Sequence, residues 1–386
     1  MTELTVIGGG IGGLVAAITA AERGASVTLF EAHSTLGGRW RSTDPPWIAH
    51  EGPHVVYRDG PIWAWLRGRH LLGETRAVPP AALLRFVFRH HGSLRRMPPA
   101  GLIRALAGRG RTAPVDRSYR DWATEQFGAE SAALSAAASG VALFARDPGS
   151  LSAAFVWERF TRVFSFPPSA GYRRHGWGAL FTALGERARS LGVRIECDAR
   201  VSTIGPGRTI VATELESARG LLGDPALDWP SGRAALLDLG LAKNTRDAFV
   251  VSDLDEAGWL ERFSAPDPSL SPPETSLVQL QVPLGPVESK AEGVARLERL
   301  ADLALPEWRG RVAYRRVAVA NRRSGALDRP GFSWRDRPAI DRGDGVFLVG
   351  DRVASPGLLS EVSVASALRA VDLALVGSTS LRNRGG

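Results

Sequence analysis

The stretch LTVIGGGIGGLVAAITAAERGASVTLFEAHSTLGGRWR, residues 4–41, decides the fold. It opens on an apolar run, Leu4-Thr5-Val6-Ile7, that suits a buried parallel strand. Gly8, Gly10 and Gly13 then give G-x-G-x-x-G. Residues 14–23 are Ala-rich and lack Gly and Pro, which predicts a helix. Gly24 ends it, and residues 25–30 read as a second strand that delivers Glu31. Each position has a physical task. Gly8 permits the tight turn, Gly10 lets a pyrophosphate approach the backbone, and Gly13 lets helix and strand pack closely. The helix N-terminus offers free N–H groups and the positive end of its dipole. A carboxylate at Glu31 accepts both ribose hydroxyls of an adenosine and repels a 2′-phosphate. A lone G-x-G-x-x-G is weak evidence; strand, helix and acid in this order make it specific for a dinucleotide.

Working outward, Gly37-Gly38-Arg39 follows Glu31 by six residues. With Ala17 and Gly24, this segment resembles the extended fingerprint of FAD enzymes of the amine oxidase and phytoene desaturase superfamily. The resemblance implies FAD as cofactor, a discontinuous Rossmann-like α/β domain that binds it, and an inserted α+β substrate domain. On this pattern the FAD-binding domain takes residues 1–78, 172–232 and 338–386, and the substrate domain 79–171 and 233–337. Around the first glycine turn the implied FAD contacts include Gly12, Ala32, Gly38, Arg39 and Trp40. Arg39 adds positive charge beside the flavin. The segment Gly52-Pro53-His54 resembles one that runs near the flavin ring in bacterial phytoene-desaturase-like proteins. This makes His54 the first candidate for a catalytic residue.

Near the other end, residues 345–351, GVFLVGD, read as a strand ending in Gly350-Asp351, followed by a helix over 361–375. They resemble the second FAD signature of the superfamily. There the Asp bonds the ribityl or phosphate region, and Leu358-Leu359 opens the turn before a helix whose N-terminus faces the flavin. Residues 172–204 resemble the superfamily segment whose closing strand meets the adenine, with Val201 in that place. His175 departs from the small residue usual there and is a second catalytic candidate.

Composition bounds the rest. The chain has 386 residues, 44% of them apolar, enough for two globular units. It contains no apolar run of about 18 residues, so no transmembrane helix is expected. The N-terminus enters a strand without a leader-like segment, which predicts a cytoplasmic location. One cysteine, Cys197, excludes an internal disulfide and a Cys-rich metal site.

The net charge of +8 is uneven: residues 58–120 hold 13 Arg against three acids. Their section 81–120 reads as basic and amphipathic. It either contacts an anionic membrane surface peripherally or presents a solvated face. No nucleic-acid motif accompanies the charge, so no nucleic-acid partner is expected. Aromatic residues at 155, 157, 160, 164 and 166 form either core or the lining for an apolar substrate.

The leading expectation is an FAD-dependent oxidoreductase that dehydrogenates a largely apolar small molecule by hydride transfer, in the manner of a phytoene desaturase. The chain carries one dinucleotide fingerprint, so electrons leave to oxygen, a quinone or a redox partner protein. Three alternatives stay open. A flavin amine oxidase often uses a lysine near the flavin, and only Lys243 and Lys290 are available. A redox-neutral isomerase uses reduced flavin as a scaffold. A non-catalytic binding protein of the GDP-dissociation-inhibitor type shares the fold.

Overall fold

The computed structural model describes residues 2–53, 55–165 and 168–376. The chain forms an α/β fold with a Rossmann-like sheet. Five parallel strands run in the order Val346–Leu348, Arg208–Val211, Glu3–Ile7, Ser26–Phe30, Arg194–Glu196. The first strand of the chain is therefore central, and the strand order reverses beside it. In open α/β sheets that switch point, outside the carboxyl ends of the strands, is where ligands bind.

The helix Ile11–Glu22 follows the central strand and is buried from Ile11 to Ala20. Its alanines allow the last helix, Ser360–Val376, to lie close against it. That helix contributes Val362, Val364, Ala367, Ala370 and Val371 to the same core.

A second sheet has seven strands in the order Val312–Ala326, Ser231–Ala242, Thr275–Pro283, Gly258–Glu261, Val250–Asp253, Phe86–His90, Ser93–Arg95. All its pairs are antiparallel except Val250–Asp253 with Phe86–His90. Strand side chains alternate between faces. One face presents Leu237, Leu239, Leu241, Val278, Leu280 and Leu260 to the helix Lys290–Ala304. Ser289 caps that helix reciprocally with Glu292. The opposite face carries Trp259, Glu261, Gln279, Gln281, Asp238 and Arg316.

Residues 42–50 cross to this second sheet. Gly240 has no side chain, and a Cβ there would stand 2.6 Å from the Trp47 ring. Trp47 fills that place and stacks on Tyr314 at 5.8 Å. The His50 carbonyl accepts from Gln279 Nε2 at 2.8 Å and from Arg316 at 2.6 Å. Both donors also bond the buried Asp238, so one carboxylate holds the crossing segment on the sheet.

Several sequence expectations change here. Residues 81–120 are not one amphipathic run, because Phe86–His90 and Ser93–Arg95 are strands of the second sheet. Arg89 is drawn inside to Asp253 at 2.9 Å and is unavailable to a surface. The aromatic residues around 160 are core. Phe155, Trp157 and Phe160 are buried, with Trp157 stacked between Phe127 and Phe160 at 5.4 Å each. Phe164 is half-buried against them, and Phe166 lies outside the described residues.

Candidate functional site

In the glycine turn Gly8, Gly9, Gly12 and Gly13 are packed and Gly10 is open. Gly8 has φ +112°, and a Cβ there would lie 2.5 Å from the Ala212 carbonyl oxygen. A Cβ on Gly13 would stand 1.9 Å from the Gly8 carbonyl, and one on Gly12 would stand 2.7 Å from Val349. A Cβ on Gly10 would meet nothing within 4 Å. Gly10 is the residue before the helix Ile11–Glu22, so open space adjoins the helix N-terminus. A pyrophosphate fits this cradle, where a side chain would exclude it.

Glu31 is buried at the edge of that cradle. Its carboxylate accepts from the Gly9 amide at 2.7 Å and from the His33 amide at 2.9 Å, and the His33 Nδ1 lies 2.7 Å away. Burial raises its pKa, but these bonds together outweigh burial and hold the group below the usual carboxylate value. The carboxylate is therefore an ionised acceptor at the edge of the cradle. The backbone of Ala199 donates to the Glu31 carbonyl, which carries the segment with half-buried Val201 past the same strand end. Ala32 is half-buried beside it.

An ion pair at the glycine turn joins the N- and C-terminal segments of the chain. Arg39 Nη1 stands 2.5 Å from Asp351 Oδ2 across 312 residues of sequence. Burial raises the Asp351 pKa, but the Arg39 guanidinium lowers it further and keeps it ionised. Gly38 lies beside the open glycine, since a Cβ on it would be 3.3 Å from Gly10 Cα. Trp40 rests on Trp177, ring centroids 4.3 Å apart. Gly350 donates to Ser366 at 3.2 Å, which ties the strand end to the last helix. The Leu358 amide donates to Glu361, and Leu359 takes a left-handed φ of +50° at the helix entry. Gly325, near the end of a strand of the second sheet, comes close to both Leu359 and Asp351. The second sheet thus borders the same site.

Comparisons with known proteins agree with this geometry. Residues 6–72 match the family model of the NAD(P)-binding Rossmann-like domain. No curated protein matches the chain in sequence. An oxidoreductase from Methanosarcina mazei is 16% identical with TM-score 0.78, covering 96% of this chain and all of that one. Cyclohexylamine oxidase from Brevibacterium oxydans is 15% identical with TM-score 0.75, covering 98% of this chain and 99% of that one. Reduced UDP-galactopyranose mutase is 15% identical with TM-score 0.71, covering 98% and 94%. This chain shares the fold of these solved structures over nearly its full length.

Within that fold the other candidates separate. Gly52 and Pro53 are half-buried, and a Cβ on Gly52 would meet nothing within 4 Å. His54 lies outside the described residues. His175 is exposed, has φ +66°, and precedes the helix Gly176–Ser190 with its amide on Ser269. This is a helix-entry residue facing solvent, and nothing in its contacts marks it as a catalyst. Both lysines are at the surface: Lys243 pairs with Glu274 at 3.4 Å, and Lys290 donates to the Val317 carbonyl.

Sequence reading missed a buried carboxylate. Glu261 accepts from Tyr172 Oη at 2.5 Å and from Trp259 Nε1 at 2.9 Å. Burial pushes its pKa up to about 7, against the lowering effect of both donors. The available signal was the strand Gly258–Glu261, where an acid ends a run that is buried throughout. The role of the His50 carbonyl had no such signal, because any residue carries one.

Proposed function

We propose that this chain is an FAD-dependent oxidoreductase acting on a carbon–hydrogen bond of a small molecule. One observation carries the reading: the Arg39–Asp351 ion pair joins the N- and C-terminal segments beside the open Gly10 cradle. Gly10 and the helix N-terminus would hold the pyrophosphate, Glu31 the ribose, and Arg39 with Asp351 the region between pyrophosphate and flavin. When bound, FAD supplies N5 as the hydride acceptor. The chain's own part would be to orient the substrate and exclude water; residues 42–50 cross onto the second sheet, where the His50 carbonyl accepts from Gln279 and Arg316.

The test is chemical. The purified protein should be yellow, and denaturation should release FAD. NAD, or no chromophore in repeated preparations, would overturn the reading. A second reading, amine oxidation, is favoured by the likeness to cyclohexylamine oxidase. The usual lysine relay has no counterpart in Lys243 or Lys290, both of which are engaged at the surface. Anaerobic mixing with candidate amines and with apolar polyenes, followed by flavin bleaching, separates the two. Turnover that requires pre-reduced flavin without consuming it would point to redox-neutral chemistry instead.

A further inference from the structure

The polar face of the second sheet has two neighbouring rows, and only one is satisfied internally. Strand register sets Val250, Glu261, Gln279, Asp238 and Arg316 across one row. There Glu261 is held by Tyr172 and Trp259, and Asp238 by Gln279 and Arg316. The next row sets Ser252, Trp259, Gln281 and Leu236 side by side. Gln281 is 4% exposed, and neither its amide nitrogen nor its amide oxygen has a partner among the described residues. Ser252, on the far side of Trp259, is 1% exposed, and its hydroxyl has no partner either.

A buried amide without partners forfeits the hydrogen bonds it had in water. Packing does not require it, since the opposite face of the same strand is filled by Val278, Leu280 and Val282. The short helix Gly140–Leu143 contacts the strands that carry Trp259 and Gln281, and both Gln281 and Ser252 are buried.

We propose that Gln281 and Ser252 form a polar subsite that holds an uncharged substrate group with both a donor and an acceptor, a carboxamide or an alcohol. The Gln281 amide offers both functions, and the Ser252 hydroxyl adapts to either. Among the described residues no cationic side chain stands in this row to receive an anion. The substrate expectation changes accordingly. A wholly apolar polyene leaves these groups orphaned, whereas a molecule with one polar end satisfies them. The word substrate rests on the oxidoreductase reading; the binding itself does not.

The experiment uses the purified full-length protein and five size-matched probes: benzamide, benzyl alcohol, toluene, benzoate and benzylamine. Thermal shift and calorimetry report binding, and a crystal soaked with benzamide reports its place. Benzamide and benzyl alcohol should bind, and toluene and benzoate should not. Gln281→Leu should weaken benzamide about tenfold, the loss of one hydrogen-bonded anchor. It should leave the Tm without probe unchanged or raised, because it removes an orphaned group. Ser252→Ala is the milder second variant and should weaken benzyl alcohol several-fold.

The proposal is overturned if Gln281→Leu lowers the Tm without probe, which would show an amide satisfied inside the fold. It also falls if both variants bind the probes as the unaltered protein does. A crystal in which ordered water bridges Gln281 and Ser252 and is not displaced by benzamide would overturn it, as would binding of benzylamine alone. Absence of flavin from the same preparation would count against the oxidoreductase reading and leave the probe result standing.

Discussion

Gly10 and Gly13 stand three residues apart and accept a side chain in opposite ways. A Cβ on Gly10 meets open space, and its φ of −78° suits any residue. Gly10→Val should therefore keep the Tm of the flavin-free protein and lose the flavin, because its methyls occupy the pyrophosphate cradle. A Cβ on Gly13 collides with the Gly8 carbonyl, a backbone atom that cannot swing away. Gly13→Ala should cost about 1–3 kcal/mol or more and lower the Tm whether or not flavin is present. Flavin content and thermal melts of both variants check this; a stable, flavin-replete Gly10→Val would mean that the turn holds no phosphate.

Glu261 makes a residue-scale prediction about pH. Unfolded, it ionises near 4.5; folded, burial keeps its proton to about 7. Between those values the folded state binds the extra proton, so rising pH favours unfolding. Asp238 and Asp253 are shifted up by burial as well and act in the same sense. Stability should fall as pH rises from 4.5 to 7, by up to about 3 kcal/mol from Glu261 alone. Glu261→Gln retains partners for Tyr172 and Trp259 while removing the titration. Denaturant melts from pH 5 to 8 should show a flatter profile for the variant; parallel profiles would place the titration elsewhere.

At the scale of elements, local chemistry was the legible part. The strand Glu3–Ile7, its glycine turn, the helix Ile11–Glu22 and the strand Ser26–Phe30 follow from periodicity and from glycines at fixed offsets. Ser118 caps the helix Tyr119–Phe127, its side chain accepting from the Asp121 amide. Less legible was anything decided by a distant partner. Residues 86–95 look amphipathic and basic in isolation, yet Phe86–His90 pairs with Val250–Asp253 and Arg89 finds Asp253 there. The Ala-rich stretch 129–145 reads as one helix but splits into Ala129–Ala138 and Gly140–Leu143, where Gly140 must pass close to the Ala257 carbonyl. The same holds at the site. Arg39 and Asp351 were each named from their own motif, but their contact is a property of the closed sheet. The Gln281 row has meaning only once register sets it beside Trp259 and Ser252.

At the scale of the whole molecule, the question is where the excess positive charge goes. Among the described residues no helix is long and apolar enough to cross a membrane. The structure removes Arg89 from the candidates through Asp253 and Asp255. Arg95 and Arg96 remain exposed at the end of the hairpin formed by Phe86–His90 and Ser93–Arg95. Leu84 and Met97 flank that hairpin in sequence and are 76% and 72% exposed. Apolar side chains beside unpaired arginines suit a headgroup boundary. We therefore expect weak binding to vesicles containing anionic phosphatidylserine and none to neutral vesicles, with the bound fraction falling as salt screens the arginines. Each basic group near such a surface contributes roughly 1 kcal/mol, so Arg95→Ala with Arg96→Ala should weaken partitioning roughly 30-fold. Leu84→Ser should weaken it at every salt concentration, because apolar insertion is not screened. Sedimentation with the two vesicle types measures all three, and equal binding to neutral and anionic vesicles would assign these arginines to solvent alone.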